Sequence, residues 1–207
     1  MRHHSMAKTP NNTLGLTDKV NKSVISPQKL FALRLDHRPH RDMRISTHIA
    51  LVARAFGMDG VFFSGVPDKK LCERVNKVTE NFGGDFSIKT GCNWRKVIDH
   101  WRSHGGEIIH LTMYGIPLPQ VIEKIRSSPR DKLIVIGGPK VPSEIYSLAH
   151  YNISITNQPH SEIAALAVFL DSYYKGQEFN FEFKNAKIKI IPSERGKKVV
   201  SCNTSFE

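Results

Sequence analysis

The chain has 207 residues, 40% of them hydrophobic, with 30 Lys+Arg against 19 Asp+Glu and a formal net charge of +11. That length suits one domain with appendages, and it can bury a core without disulfides or metal. The positive excess favours a polyanionic partner, nucleic acid first. No run reaches the ~18 apolar residues of a membrane span, and residues 1–28 hold no apolar stretch of the signal-peptide kind. Cys72, Cys92 and Cys202 are scattered and odd in number, with no zinc spacing. A reducing, cytoplasmic setting without bound metal is therefore expected.

In chain order, residues 1–28 are polar, rich in Asn, Ser, Thr and Lys, and without hydrophobic period; they are expected to be a disordered tail. From Leu30 onward short apolar runs alternate with helix-like stretches. The predicted strands are Leu30–Leu35, Val61–Ser64, Phe86–Lys89, Ile108–Thr112, Leu133–Ile136 and Ile153–Thr156. The predicted helices lie near 45–56, 68–82, 93–102, 118–127, 142–149 and 159–174. This alternation implies an α/β domain over 29–176, a mostly parallel sheet with helices on both faces. Ligands of such sheets sit beyond the carboxyl ends of strands, so the loops after Thr112, Ile136 and Ile155 are the places to look. Residues 177–207 read differently. Phe179–Phe183, Lys187–Ile191 and Lys197–Val200 look like short antiparallel strands in a basic β extension.

Four strings carry possible chemistry. Arg38, Arg41 and Arg44 recur every third residue around Pro39, which argues for a loop leading into a helix. Three guanidiniums suit phosphate oxygens, although a solvated charged loop balanced by Asp36 and Asp42 fits equally. Thr47-His48 then opens a helix, with Arg54 less than two turns on. His48 is a candidate base near neutral pH, or simply a helix-end hydrogen-bonding group. The strand Ile109–Thr112 runs into Met113-Tyr114-Gly115, and Leu133–Ile136 runs into Gly137-Gly138-Pro139-Lys140-Val141. A Gly-Gly turn at a strand's carboxyl end lets backbone amides approach a ligand, or is only a turn. Finally Ile155-Thr156-Asn157-Gln158-Pro159-His160-Ser161-Glu162 stops a strand and caps a helix whose amides could bind a carboxylate. The helix, Ile163–Leu170, is apolar all round and needs cover on every side, for which a subunit interface is a natural place. There is no GxGxxG, no P-loop and no acidic metal cluster, so a nucleotide-dependent oxidoreductase lacks its motif.

Taken in order, HRPHRDMRISTHIALVARAFGMDG, NWRKVI, IHLTMYG, GGPKVP, NQPHSEIAALAVFLD and AKIKIIPSERGKKVV resemble the archaeal tRNA cytidine-56 2′-O-methyltransferase family of the SPOUT class, from about Leu30 to Val200. The resemblance implies a C-terminal trefoil knot that cradles S-adenosylmethionine, a homodimer, and tRNA as substrate, with cytidine 56 of the T-loop as target. It implies donor contacts from Leu111, from Gly137, Gly138, Pro139, Lys140 and Val141, and from Ile155, Thr156, Asn157, Gln158, Pro159, His160, Ser161 and Glu162. It places Arg54 at the reaction centre. A guanidinium stays protonated, so Arg54 is expected to act electrostatically, with His48 as the alternative proton acceptor. Arg38, Arg41, Arg44, Lys187, Lys189, Lys197 and Lys198 are the expected RNA contacts. Pro139 stands where family members commonly carry Glu, and Thr156 where Gly is common. The competing expectation is a non-catalytic RNA-binding protein on the same scaffold.

Overall fold

The computed structural model describes residues 28–138 and 140–202. Residues 1–27 of the expected tail and the donor-loop residue Pro139 lie outside the described residues. Six strands form one sheet in the order β3-β2-β1-β5-β4-β6, and every pairing is parallel. They are β1 (Leu30–His37), β2 (Gly60–Gly65), β3 (Ser87–Cys92), β4 (Glu107–Pro117), β5 (Lys132–Ile136) and β6 (Tyr151–Ser154). The helices between them are α1 (Pro39–Ala55), α2 (Lys69–Phe82), α3 (Trp94–Ser103), α4 (Ile122–Ser127), α5 (Glu144–Leu148) and α6 (Glu162–Tyr174). The alternation read from the sequence thus holds strand by strand.

The central strands are apolar on both faces because both faces are covered. Ala32, Phe63, Ile109 and Ile134 pack with Ile49 and Ala53 of α1, Leu71 of α2, and Leu166 and Phe169 of α6. Their strand neighbours Leu33, Ile108, Leu133 and Val135 pack on the other face with Ile98 of α3 and Ile145 of α5. The period-2 geometry of strands sorts each run between the two layers.

At the sheet edge β4 does something a simple strand does not. Leu111 and Ile116 both pair with Ile153 of β6. The register of β4 therefore slips against β6, and residues 112–115 intervene without a partner in that ladder. Gly115 lies in this irregular stretch, tight against β6. A Cβ there would stand 2.5 Å from the Asn152 carbonyl carbon, and closer still to the Ile153 amide nitrogen. Asn157, just past β6, braces the stretch by donating its Nδ2 to the Met113 carbonyl at 2.7 Å.

Two expectations are corrected. Pro39 does not delay the helix; it is the first residue of α1, where a missing N–H costs nothing, and Arg38 is held extended before it (φ −127°, ψ 109°). Arg41 and Arg44 are therefore helical, and His48 is mid-helix rather than at a terminus. Residues 179–183 are not a strand. α6 ends through Lys175 and Gly176, both left-handed, into a 3-10 turn over Gln177–Asn180. The alternating phenylalanines serve ring contacts instead: Phe181 meets Tyr174 edge-on at 5.0 Å, and Phe183 lies under Arg54. Only β7 (Ile188–Ile191) and β8 (Lys198–Ser201) form the antiparallel pair. The apolar run of α6 is covered on one side only, as expected for a single chain: Ala165, Leu166, Phe169 and Leu170 are buried, while Ala164 and Val168 face outward.

Candidate active site

A cleft of about 630 Å³ opens at the carboxyl ends of β4 and β5. That volume suits a small ligand or cofactor. Of the residues expected to hold the donor, Leu111, Gly137, Gly138, Lys140, Val141, Pro159, His160 and Glu162 line it. Ile155, Thr156, Asn157, Gln158 and Ser161 do not. Asn157 braces the irregular stretch of β4, and Ser161 Oγ caps α6 by accepting the Ile163 amide at 3.2 Å. Gly137 is required by crowding, since a Cβ there would run into the Val141 side chain across the cleft wall.

Sequence reasoning missed His110, Thr112, Met113, Tyr114, Ile136, Tyr146 and Ala165 in the lining. His110, Thr112, Met113 and Tyr114 sit in the string that had been singled out and Ile136 ends β5, so the loop positions were legible. Tyr146 and Ala165 come from helices with no local signal. Asn152 Nδ2 donates to the Tyr146 carbonyl at 2.9 Å, so its Oδ1 accepts from His110 Nδ1 at 2.8 Å. Burial pushes the His110 imidazole below its usual pKa, partly opposed by the Asn152 bond. A neutral ring with Nδ1 protonated leaves Nε2 as a lone-pair acceptor, and among the described residues it has no partner.

The one carboxylate in the described lining is Glu162, at the first turn of α6. Its Oε2 accepts from Arg34 Nε at 3.0 Å. Arg34, at the carboxyl end of β1 and 1% exposed, also stands 3.6 Å from Asp42, whose Oδ2 accepts from Arg38 Nε at 3.1 Å. Burial lifts the Glu162 carboxyl above its usual value, with Arg34 opposing the shift and Asp42 adding to it.

Arg54 and His48 are not brought to this cleft. α1 starts beside the carboxyl edge of the sheet and returns to the amino edge, so Arg54 ends among residues that precede β2 and β3. Five residues of strand separate the two edges, about 15 Å at ~3.3 Å per residue. There Arg54 is 7% exposed, donates Nη2 to the Gly83 carbonyl at 2.5 Å and lies over the Phe183 ring at 5.0 Å. Those contacts fasten the C-terminal segment. His48 is exposed mid-helix.

The basic residues divide in the same way. Arg41 and Arg44 are exposed on the first turns of α1, at the cleft end, with Arg38 half-buried against Asp42. The β7–β8 pair is fastened at the other end of α2, where the Lys187 amide donates to the Asn81 carbonyl. Lys187 and Lys189 meet Glu80 and Glu182, and Lys197 and Lys198 are exposed. Within one chain the two groups are not one face.

The parallel sheet with helices on both faces is, at the level of fold, that of solved TrmH/SpoU-type structures. The A. aeolicus TrmH/SpoU tRNA modifying enzyme superposes with a TM-score of 0.54 at 15% identity, covering 74% of this chain and 77% of that one. An AdoMet-bound rRNA methyltransferase from Sinorhizobium meliloti gives 0.51 at 17% identity, covering 72% and 56%. At the level of sequence the match is far closer. The chain belongs to the family described as tRNA ribose 2′-O-methyltransferase, aTrm56, whose model matches residues 82–200. Its relatives include the tRNA (cytidine(56)-2′-O)-methyltransferases of Methanothermobacter thermautotrophicus, 53% identical over 80% of this chain and 92% of that one, and of Archaeoglobus fulgidus, 55% identical over 84% and 99%.

Proposed function

We propose that this chain methylates a ribose 2′-hydroxyl of tRNA with S-adenosylmethionine, cytidine 56 of the T-loop being the target. The observation that carries the reading is the cleft itself, set where the family strings IHLTMYG, GGPK and NQPHSE converge. Its residues fit the donor. Gly137 and Gly138 give close backbone approach, and the Lys140 ammonium in the lining can meet the donor's carboxylate. The cleft and its glycine turn also weigh against a purely RNA-binding scaffold. When bound, the donor supplies an electrophilic methyl group and leaves as a neutral thioether.

What the chain's own residues must do is position the hydroxyl and help its proton leave. Arg41 and Arg44 stand at the cleft end and are the proposed phosphate contacts beside the reaction; Arg38 supports them through Asp42. Lys187, Lys189, Lys197 and Lys198 form a second proposed contact at the opposite end. The outward Ala164 and Val168 of α6, next to α1 with its exposed Met43 and Ile45, form the proposed face of a homodimer. Sedimentation at micromolar concentration should then give about twice the 23.4 kDa chain mass. Among the described residues no helix is long and apolar enough to cross a membrane, and a cytoplasmic site of action is proposed. Isothermal titration with S-adenosylmethionine in EDTA tests the reading of the cleft. Binding in the micromolar range is expected for the unaltered chain and its loss in Gly137→Trp; no binding at millimolar donor would overturn it.

A further inference from the structure

We propose that Glu162 is the group that takes the proton from the ribose hydroxyl, with Arg34 as the residue that positions it. The inference rests on the reading of the cleft as a methyl-transfer site. Such a site needs a proton acceptor, and the residues expected in that role fail on position or chemistry. A guanidinium has no lone pair to accept with. Arg54 stands at the opposite edge of the sheet, and His48 does not line the cleft. His110 has a free Nε2, but that atom is fully buried and closed to a substrate hydroxyl. Lys140 is exposed and cationic.

Glu162 meets each requirement. It is the one carboxylate in the described lining. Arg34, itself nearly inaccessible, holds Oε2 at 3.0 Å and so fixes the side chain's orientation. Oε1 has no hydrogen-bond partner among the described residues. Burial raises its affinity for a proton, and the Arg34 contact opposes that rise. The charged and titratable groups around it are Arg34 on β1, Asp42 on α1, and His160 and Lys140, which line the same cleft.

The balance is complete. The ribose O–H bond breaks with its proton going to Glu162 Oε1 and then to solvent. The oxygen–methyl bond forms as the methyl–sulfur bond breaks, and that electron pair stays on sulfur. The step neutralises one negative charge on Glu162 and one positive charge on the donor together. A half-buried cleft favours such mutual neutralisation more than water does.

Three variants test this: Glu162→Gln, Glu162→Asp and His160→Asn, each compared with the unaltered chain. Single-turnover methylation is measured from pH 5 to 9, donor affinity by calorimetry, and the carboxyl band by difference infrared titration without donor. In Glu162→Gln the rate should fall at least about 100-fold, the range lost with a general base, with donor affinity within threefold. The acid limb of the pH–rate profile should disappear. Glu162→Asp should keep that limb at an intermediate rate. The infrared difference between the unaltered chain and Glu162→Gln should show a carboxyl titrating above the ordinary glutamate range. A tenfold or greater loss of donor affinity in Glu162→Gln would overturn the proposal, assigning the carboxylate to donor binding. So would a rate within threefold, or an acid limb lost in His160→Asn instead. Absence of donor binding by the unaltered chain would instead overturn the reading of the cleft on which the proposal stands.

Discussion

Replacing Arg34 by Met tests the buried charge network directly. Arg34 has a side chain 1% exposed, lies 3.0 Å from Glu162 and 3.6 Å from Asp42, and those carboxylates are 23% and 5% exposed. Removing one partner of a buried pair costs roughly 3–5 kcal/mol, because the other charge is left uncompensated. Asp42 retains Arg38 and Glu162 reaches the cleft, so the low end, about 3 kcal/mol, is expected. For a chain of this size that is a drop in Tm of roughly 6–12 °C. The loss should depend on pH. The Glu162 carboxyl is already held above its usual value by burial, and without Arg34 it rises further. A carboxyl whose folded pKa exceeds its unfolded one binds a proton preferentially in the folded state, so stability falls as pH rises through that window. The deficit of Arg34→Met relative to the unaltered chain should therefore be largest at pH 8 and shrink toward pH 5. The double variant Arg34→Met, Glu162→Gln should recover part of it. Urea unfolding at the two pH values measures both effects. A deficit under 1 kcal/mol, or one that is independent of pH and additive with Glu162→Gln, would refute the reasoning.

Other substitutions probe separate parts of the account. Gly115→Ala forces a methyl group into the backbone of β6 and should cost about 2 kcal/mol, the scale of overpacking in a rigid site, with lost amide-exchange protection at Asn152 and Ile153. Arg54→Ala should release the C-terminal segment to limited proteolysis around Phe183 while leaving the single-turnover rate within threefold; an abolished rate in a folded protein would return Arg54 to the chemistry. Arg41→Ala with Arg44→Ala should flatten the log–log salt dependence of tRNA binding by roughly 1.4–1.8, and an unchanged slope would remove α1 from the RNA face.

The strand–helix alternation was legible because each central strand is an apolar run long enough to cross the sheet once, bounded by a turn. The glycine turn at Gly137 was legible for the same reason: it follows β5 directly. What escaped was set by three-dimensional neighbours. Pro39 reads as a breaker unless Arg38 is known to be extended before it. Phe179, Phe181 and Phe183 alternate like a strand, but the Phe181 ring meets Tyr174, the Phe183 ring meets Arg54, and Phe179 is exposed. The register slip of β4 against β6 leaves Gly115 as its trace in the sequence, since no periodicity records how a strand is aligned with its neighbour. Arg54 misled because resemblance supplies a role without a position, and α1 carries that position to the far edge of the sheet. Arg34 carries no local signal, because only its place in a buried strand brings its guanidinium against Glu162.

The most direct test of the central claim is methylation mapping on an unmodified tRNA transcript incubated with the purified chain and S-adenosylmethionine carrying a labelled methyl group. The account requires one labelled 2′-O-methyl ribose, at cytidine 56, formed by the unaltered chain and absent with Gly137→Trp. Label on a base, or none on a tRNA that the chain binds, would contradict it.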